Sequence, residues 1–258
     1  MNWPASWLVP VWTSGAVGAL MTSREGGASE GVYASMNLGA AVGDAAGRVA
    51  SNRARLASAC EVTPVFLRQV HGTRAVRIGA ANAIAGADAH DGDASVTTEP
   101  GIACAVLVAD CLPVLFAAPQ GRAVGAAHAG WRGLAAGILE ATVGAVCDAG
   151  RCAPHELEVW LGACIGPRRF EVGADVLEAF GIAPLPAGSD AFRSFRPGKW
   201  LADLPGLARA RLVAAGVARI EGGAWCTVED VSRFFSFRRD GVTGRMAAAI
   251  WIRGRSDC

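Results

Sequence analysis

Three residues that can bind a metal ion each follow an apolar run in this sequence. His71 follows "LRQV", Cys111 follows "VLVAD", and His128 follows "AVGAA" and precedes a glycine-rich turn. Imidazole and thiolate are ligands that Zn²⁺ accepts, and three protein ligands leave one coordination position open for water. The ligand separations of 40 and 17 residues are unlike those of a zinc finger, so the side chains can meet only through the fold. The pattern predicts a catalytic zinc site, with buried histidines bonded to the backbone as the alternative.

Asp110, beside Cys111, is the nearest candidate for moving a proton. Its carboxylate could orient a histidine or accept a proton, and the alternative is a side chain that only forms the turn. His90 and His155 lie among charged and turn-forming residues, so we expect both to be exposed. Three acidic residues close to His90 lack EF-hand spacing and predict a solvated loop rather than a calcium site. They are Asp88, Asp91 and Asp93.

The turn "HAGWRG" (His128 to Gly133) predicts a second kind of binding site. An apolar strand passes there directly into a helix, and the free N–H groups at a helix start can bind an anion. Arg132 would add a guanidinium donor. A tight turn with a capping histidine is the alternative. Arg48 and Arg53 are further candidate phosphate-binding residues, each with a solvated surface charge as its alternative.

The composition argues against several classes of function. The 24 Lys and Arg nearly balance the 23 Asp and Glu, so no whole-molecule field attracts the chain to nucleic acid or to an anionic membrane. The apolar runs are too short for a transmembrane helix, and the start of the chain lacks the pattern of a signal peptide. We therefore expect a cytoplasmic protein whose eight cysteines are reduced.

Short apolar runs predict strands, and apolar residues that recur every three or four positions predict helices. The predicted strands are Ala75–Ile78, Ala103–Ala109, Val114–Ala118, Ala123–Ala129, Leu157–Ala163 and Gly244–Arg253. The predicted helices are Arg48–Cys60, Gly133–Ala149, Ala174–Phe180 and Asp203–Ala215. Gly181–Trp200, rich in Pro, Gly and Ser, predicts a long surface loop that could cover a cleft. The order favours an α+β fold, mixed β-sheets layered with outer helices, in one domain over residues 1–258.

Several longer motifs resemble the bacterial YfiH-like family, also called the laccase-domain or polyphenol oxidase family. They are "SMNLG", "NRARL", "QVHG", "ADCLPVLF", "HAGWRGLAAGI", "IGPRRFEVG" and "FFSFRRDGVTGR", in this order along the chain. The resemblance extends from about Thr22 to Arg253. It implies mixed α and β layers grouped with cysteine-hydrolase-like proteins, and a zinc ion held by His71, Cys111 and His128.

The resemblance also implies a set of activities. These are purine nucleoside phosphorylase activity on adenosine, inosine and guanosine, methylthioadenosine phosphorolysis and adenosine deamination, with purine nucleosides and phosphate as partners. Copper-dependent phenol oxidation is an older label that adds Cu²⁺ as a second candidate ion, and editing of peptidoglycan precursors is attached to some bacterial members. The chain has "LGACIGP" where the family usually reads Leu-Gly-Pro-Ala-Ile-Gly-Pro, so Ala163 and Cys164 predict a looser loop beside the pocket.

The candidate functions differ in what they require of the same residues. The leading hypothesis is a zinc enzyme acting on purine nucleosides, in which Asp110 carries protons and the three arginines named above hold phosphate. The alternative is an amide hydrolase with Cys111 as nucleophile and His128 or His71 as base, for which bound zinc would compete. A multicopper oxidase needs more imidazoles than four histidines supply. The oligomeric state stays open, and a monomer is compatible with the sequence.

Overall fold

The computed structural model describes residues 3–84, 88–184 and 188–254. Its strands are β1 (Val17–Met21), β2 (Thr63–Arg68), β3 (Ala75–Arg77), β4 (Asp88–Asp91), β5 (Ala94–Thr97), β6 (Ile102–Val108), β7 (Leu112–Ala117), β8 (Val124–Ala129), β9 (Glu158–Leu161), β10 (Glu171–Val172), β11 (Gly188–Ser189), β12 (Phe192–Arg196), β13 (Lys199–Ala202), β14 (Arg219–Gly222) and β15 (Met246–Ile252). Its α-helices are α1 (Ala46–Cys60), α2 (Trp131–Ala136), α3 (Ile138–Gly150), α4 (Ala174–Ala179), α5 (Leu204–Ala214) and α6 (Phe237–Asp240). None of these helices is long and apolar enough to cross a membrane.

Two sheets pack face to face. One has the strand order β1-β15-β6-β2-β4 and the other β14-β9-β7-β8-β5-β3. Cys104, Val106 and Val108 of β6 pack in one buried cluster with Leu115 of β7 and Ala126 of β8. Alternate residues of each strand therefore supply one half of an apolar layer. A third sheet has the order β10-β13-β12-β11.

Helices cover the outer faces of these two sheets. Ala105 of β6 packs with Leu56 of α1 on one side, and Phe116 of β7 packs with Val143 of α3 and Leu212 of α5 on the other. The predicted fold class, mixed β-sheets layered with outer helices, is confirmed. The grouping with cysteine-hydrolase-like proteins and the assignment of residues 1–258 to one domain stay predictions.

Some predicted elements are wrong in detail. The predicted helix Gly133–Ala149 is divided into α2 and α3, because Gly137 between them has a φ of +104°. The predicted loop Gly181–Trp200 contains β11, β12 and the start of β13, while residues 185–187 lie outside the described ranges. The predicted strand Val114–Ala118 corresponds to β7, which begins two residues earlier and includes Pro113.

Candidate metal centre

The structure brings together the three residues that the sequence singled out. His71 lies just beyond β2, Cys111 lies between β6 and β7, and His128 is the last residue but one of β8. Their ligand atoms all lie within 4.8 Å of one another. Cys111 Sγ is 3.8 Å from His71 Nε2, and the two imidazole rings meet edge to face. The side chain of His71 is exposed, that of Cys111 is half-buried and that of His128 is buried.

Asp93 connects the two histidines. Its Oδ1 accepts hydrogen bonds from His71 N and His128 Nδ1, each at 2.9 Å, and its Oδ2 accepts one from Gly72 N at 2.7 Å. Burial alone would raise the pKa of Asp93, but the bonds from His128 and Gly72 hold it below its usual value. Because the bond to the carboxylate fixes a proton on His128 Nδ1, Nε2 is the nitrogen left for a metal ion. Asp93 is fully buried, so the predicted solvated loop is wrong for this residue.

The turns that present the ligands have strained backbone and close contacts. His71 has a φ of +59° and Asp110 a φ of +97°, values that non-glycine residues rarely adopt. A Cβ on Gly130 would lie 2.8 Å from His71 Cδ2 and 3.1 Å from Cys111 Sγ. A Cβ on Gly133 would lie 2.9 Å from the carbonyl oxygen of Gly72. The glycines of "HAGWRG" thus permit the strand ends to approach, a packing role that the sequence reasoning did not assign to them.

Cys111 and His128 form a charged pair. Burial opposes ionisation of the Cys111 thiol, but the facing His128 outweighs it and lowers the pKa of Cys111 to about 6. Burial likewise opposes protonation of His128, but Cys111 and Asp93 outweigh it and raise the pKa of His128 to about 9. At neutral pH the metal-free pair is therefore a thiolate beside an imidazolium.

The donor set suits a tetrahedral metal ion with one open position. Zinc bonds of roughly 2.0–2.3 Å place neighbouring ligand atoms about 3.3–3.6 Å apart. The 3.8 Å between Cys111 Sγ and His71 Nε2 is close to that spacing. Over the described ranges, this is the one group of three such side chains arranged to hold an ion. The residues present therefore fit a metal centre, and binding would remove the proton from His128 Nε2.

The three ligand residues line a cavity of about 420 Å³. This volume lies within the ~300–1,000 Å³ typical of small-molecule sites. The wall also contains residues 39–42, Gln69, Phe237 and Arg245. Asn37 Oδ1 accepts bonds from Gly39 N at 2.9 Å and Arg245 N at 2.8 Å, and buried Asn52 of α1 donates to Asn37 O at 2.8 Å. The motifs "SMNLG" and "NRARL" therefore shape the cavity wall.

Asp110 lies beside Cys111, and each of its carboxylate oxygens accepts a hydrogen bond. Oδ1 accepts a hydrogen bond from Thr227 Oγ1 at 2.6 Å, and Oδ2 accepts one from Arg238 N at 2.7 Å. Its backbone oxygen accepts a bond from Ile165 N at 2.9 Å. Asp110 thus connects three segments around the Cys111 turn. Its role as a proton carrier stays a prediction.

The arginines predicted to hold phosphate are not among the residues that line this cavity. Their neighbours are Glu30 for Arg48 (2.7 Å), Asp88 for Arg53 (2.9 Å) and the Trp131 ring for Arg132 (4.3 Å to the centroid). Their phosphate-binding roles stay predictions. Sequence reasoning missed Arg245, Phe237 and Gln69, which do line the cavity. Their sequence signal was their place in family motifs or beside His71, and residue type alone does not distinguish them from surface residues.

The structure agrees with some of the remaining sequence predictions and differs from others. His155 is exposed as expected, whereas His90 is half-buried and its Nε2 lies 2.8 Å from a backbone oxygen. The seven described cysteines are free, and Cys258 lies outside the described residues. Ala163 and Cys164 are fully buried, and neither lines the cavity. The altered "LGACIGP" motif therefore does not contact a ligand in this cavity directly.

Comparison with known proteins identifies the family. The family model for multi-copper polyphenol oxidoreductase laccase matches residues 18–253. The chain belongs to this family. Two members that it resembles are named purine nucleoside phosphorylase. The Pseudomonas aeruginosa protein is 46% identical, with 96% of this chain and 99% of that protein covered. Escherichia coli YfiH is 47% identical, with 95% and 98% covered.

Solved structures of the laccase-like family have the same fold. A Neisseria meningitidis protein superposes with a TM-score of 0.88 at 45% identity, covering 96% of this chain and 100% of that chain. YlmD from Geobacillus stearothermophilus superposes with a TM-score of 0.86 at 36% identity, covering 93% of each. The resemblance to the YfiH-like family found from the motifs is confirmed.

Proposed function

We propose that this protein is a zinc-dependent purine nucleoside phosphorylase. The reaction cleaves the bond between base and ribose with phosphate, so inosine gives hypoxanthine and ribose 1-phosphate. One observation carries the proposal: the His71, Cys111 and His128 cluster lines a cavity of about 420 Å³. It is supported by relatives of that name, 46–47% identical over nearly the whole chain.

The proposed ion is zinc, held by His71, Cys111 and Nε2 of His128. Zinc accepts both imidazole nitrogen and thiolate sulfur as ligands, and a bound ion would supply a Lewis acid with one open position. Cu²⁺ remains the second candidate because of the family label. A multicopper cluster is disfavoured, because His90 and His155 are not part of the one group of possible metal ligands in the described ranges.

The chain's own residues would perform three tasks in this reaction. Asp93 orients His128 through Nδ1 and keeps the turn of His71 in place. The cavity would hold the nucleoside beside the ligand cluster. Phosphate must be held near the ribose carbon, and positively charged donors serve there because charge develops as the base leaves.

Adenosine deamination and methylthioadenosine phosphorolysis are proposed as further activities of the same centre. Deamination exchanges the amino group of adenosine for a water oxygen and needs a group that moves protons. Asp110 is the proposed carrier. Each of its carboxylate oxygens accepts one hydrogen bond, from Thr227 or from Arg238 N, and has a second lone pair that could take up a proton.

Product analysis with adenosine tests this proposal. Purified protein is assayed for metal content and incubated with adenosine, with and without phosphate, and the products are separated by chromatography. We expect about one zinc per chain, adenine only when phosphate is present, and inosine in both incubations. Protein without stoichiometric metal, or metal retained after replacement of both His71 and His128, would contradict the metal assignment.

A second candidate function is favoured by the Cys111 and His128 pair. A thiolate beside an imidazolium is the arrangement of a cysteine nucleophile with its base, as in an amide hydrolase that edits peptidoglycan precursors. The two functions differ in how metal affects them. If the protein hydrolyses such amides, removing the metal should increase activity and alkylating Cys111 should abolish it. A phosphorylase should instead lose activity when the metal is removed.

A further inference from the structure

Arg245 is a charged residue of the cavity wall without an ion-pair partner. Besides the metal ligands, the charged residues that line the cavity are Arg68, Asp88 and Arg245. Arg68 pairs with Asp91, and Asp88 pairs with Arg53. In the part of the chain that the structure describes, no carboxylate lies within ion-pair distance of Arg245. The wall therefore carries an excess positive charge at Arg245.

The position of Arg245 is fixed by its neighbours. Its Nη1 donates to Thr243 O at 3.0 Å and to Gly244 O at 3.1 Å. A Cβ on Gly39 would lie 2.8 Å from Arg245 Cγ, so the glycine leaves room for the arginine side chain. A guanidinium has five N–H donors, and those on Nε and Nη2 are not used by these bonds. The side chain is thus held in place and keeps donors for a ligand.

The acidic groups of the site that influence Arg245 have other interaction partners. Cys111 and Asp110 are the acidic groups of the site that act on its charge. Both oxygens of Asp110 already accept hydrogen bonds from Thr227 and Arg238 N. In the proposed enzyme the Cys111 thiolate binds the metal ion. With the ion bound, the cavity therefore presents positive charge at two points, which favours an oxyanion.

We propose that Arg245 binds inorganic phosphate, the tetrahedral co-substrate, in this cavity. The inference rests on the proposed phosphorylase function and assigns the residue that serves it. A planar guanidinium can donate two parallel hydrogen bonds to neighbouring phosphate oxygens. Phosphate held by Arg245 occupies the cavity that the metal cluster also lines, whereas Arg132 is not part of that lining.

Phosphate binding by the zinc-loaded protein tests the inference. Calorimetry measures the affinity for inorganic phosphate without nucleoside, and steady-state assays measure KM for phosphate and for inosine. The variants are Arg245→Met, Arg245→Lys, the competing Arg132→Met and the control Arg77→Met, an exposed arginine outside the cavity lining. Sulfate, added at constant ionic strength, separates an oxyanion site from general screening. Metal content and melting temperature are recorded for every variant.

We expect Arg245→Met to weaken phosphate binding and raise KM for phosphate by about tenfold to a hundredfold. Arg245→Lys should lie between this variant and wild type, since it keeps the charge and loses the fork. KM for inosine should change less than about threefold, and sulfate should compete. If Arg245→Met does not fold, the phosphate affinity of Arg245→Lys tests the inference instead. The inference is overturned if the folded Arg245 variant binds phosphate like wild type, if Arg132→Met has the larger effect, or if wild type binds no phosphate.

The result also separates this inference from the proposed function. Phosphate binding that depends on Arg245, in a protein that releases no base from nucleosides, would support the site and refute the phosphorylase. Phosphate-dependent release of hypoxanthine that is unchanged in both Arg245 variants would support the phosphorylase and refute the site.

Discussion

At the scale of single residues, one buried carboxylate holds two potential metal ligands. Asp93 bonds His71 through its backbone N–H and His128 through Nδ1. A carboxylate behind a metal-binding histidine sets which nitrogen is free and in which direction it points. Asp93 does so for His128 and also positions His71 through its backbone N–H. Asp93 is therefore a positioning residue of the proposed centre.

We expect Asp93→Asn to weaken zinc binding by about tenfold to a hundredfold, as measured by competition with a chromophoric chelator. An amide has one accepting oxygen, so it cannot replace both carboxylate oxygens. Asp91→Asn is the matched control, since Asp91 is not fully buried and lies two positions earlier. Equal zinc affinity in the two variants would show that Asp93 has no positioning role.

Replacement of cysteines should separate ligand from packing residues. We expect Cys111→Ser to lower zinc affinity and abolish turnover, because a neutral hydroxyl does not match the charge of a thiolate. Cys104→Ser, in the buried layer between the sheets, should mainly lower the free energy of unfolding. Metal analysis, activity and thermal melting of both variants check this. Equal losses of activity with metal retained in both would contradict the assignment.

The three candidate metal ligands could be predicted from the sequence, whereas the residues that position them and complete the cavity could not. His and Cys are uncommon, and three of them at the ends of apolar runs are easily noticed. Asp93 follows a glycine in an acidic stretch, a pattern that usually indicates a solvated turn. Only the long-range pairing of β5 with β8 brings it beneath His128. Arg245 likewise becomes part of the site only through contacts with the distant residues Asn37 and Gly39.

At the scale of elements, the site depends on abrupt strand ends that approach closely. The central strands were predicted because buried apolar runs have a clear signal. The third sheet was missed because four of the five residues of β12 are exposed, which leaves no alternating apolar pattern to detect. The break between α2 and α3 was missed since a glycine such as Gly137 is also tolerated inside a helix.

We expect Gly130→Ala to lower zinc affinity. The new methyl group would lie 2.8 Å from His71 Cδ2 and 3.1 Å from Cys111 Sγ, so the ligands must move apart. Gly144→Ala in α3 is the control, because nothing lies within 4 Å of its Cβ position. That variant should stabilise the fold by about 0.5–1 kcal/mol and leave metal binding unchanged. Unchanged zinc affinity in Gly130→Ala would mean that the close approach is not needed.

At the scale of the whole molecule, positive and negative charges nearly balance. The charges that could take part in chemistry lie at the candidate metal centre and its cavity. The formal net charge is +1, so attraction of anionic ligands must come from the cavity itself. The metal-free centre contains a thiol with a pKa of about 6 and an imidazole with a pKa of about 9. Metal binding is therefore coupled to proton release at neutral pH.

This coupling sets the pH dependence of zinc affinity. Between about pH 6 and 9 an ion must displace one proton from His128, so affinity should rise roughly tenfold per pH unit. Below about pH 6, Cys111 also takes up a proton and affinity should fall more steeply as pH decreases. Competition with a chelator from about pH 5 to about pH 9.5 measures this profile. A flat profile between the two pKa values would contradict the paired arrangement.

The proposed function requires that this metal centre serves phosphorolysis. The most direct measurement is ³¹P NMR of inosine incubated with the zinc-loaded protein, with and without inorganic phosphate, combined with quantification of hypoxanthine. We expect hypoxanthine and ribose 1-phosphate to form in equal amounts, and neither to form without phosphate. Hypoxanthine released equally fast in the absence of phosphate, or not released at all, would contradict it.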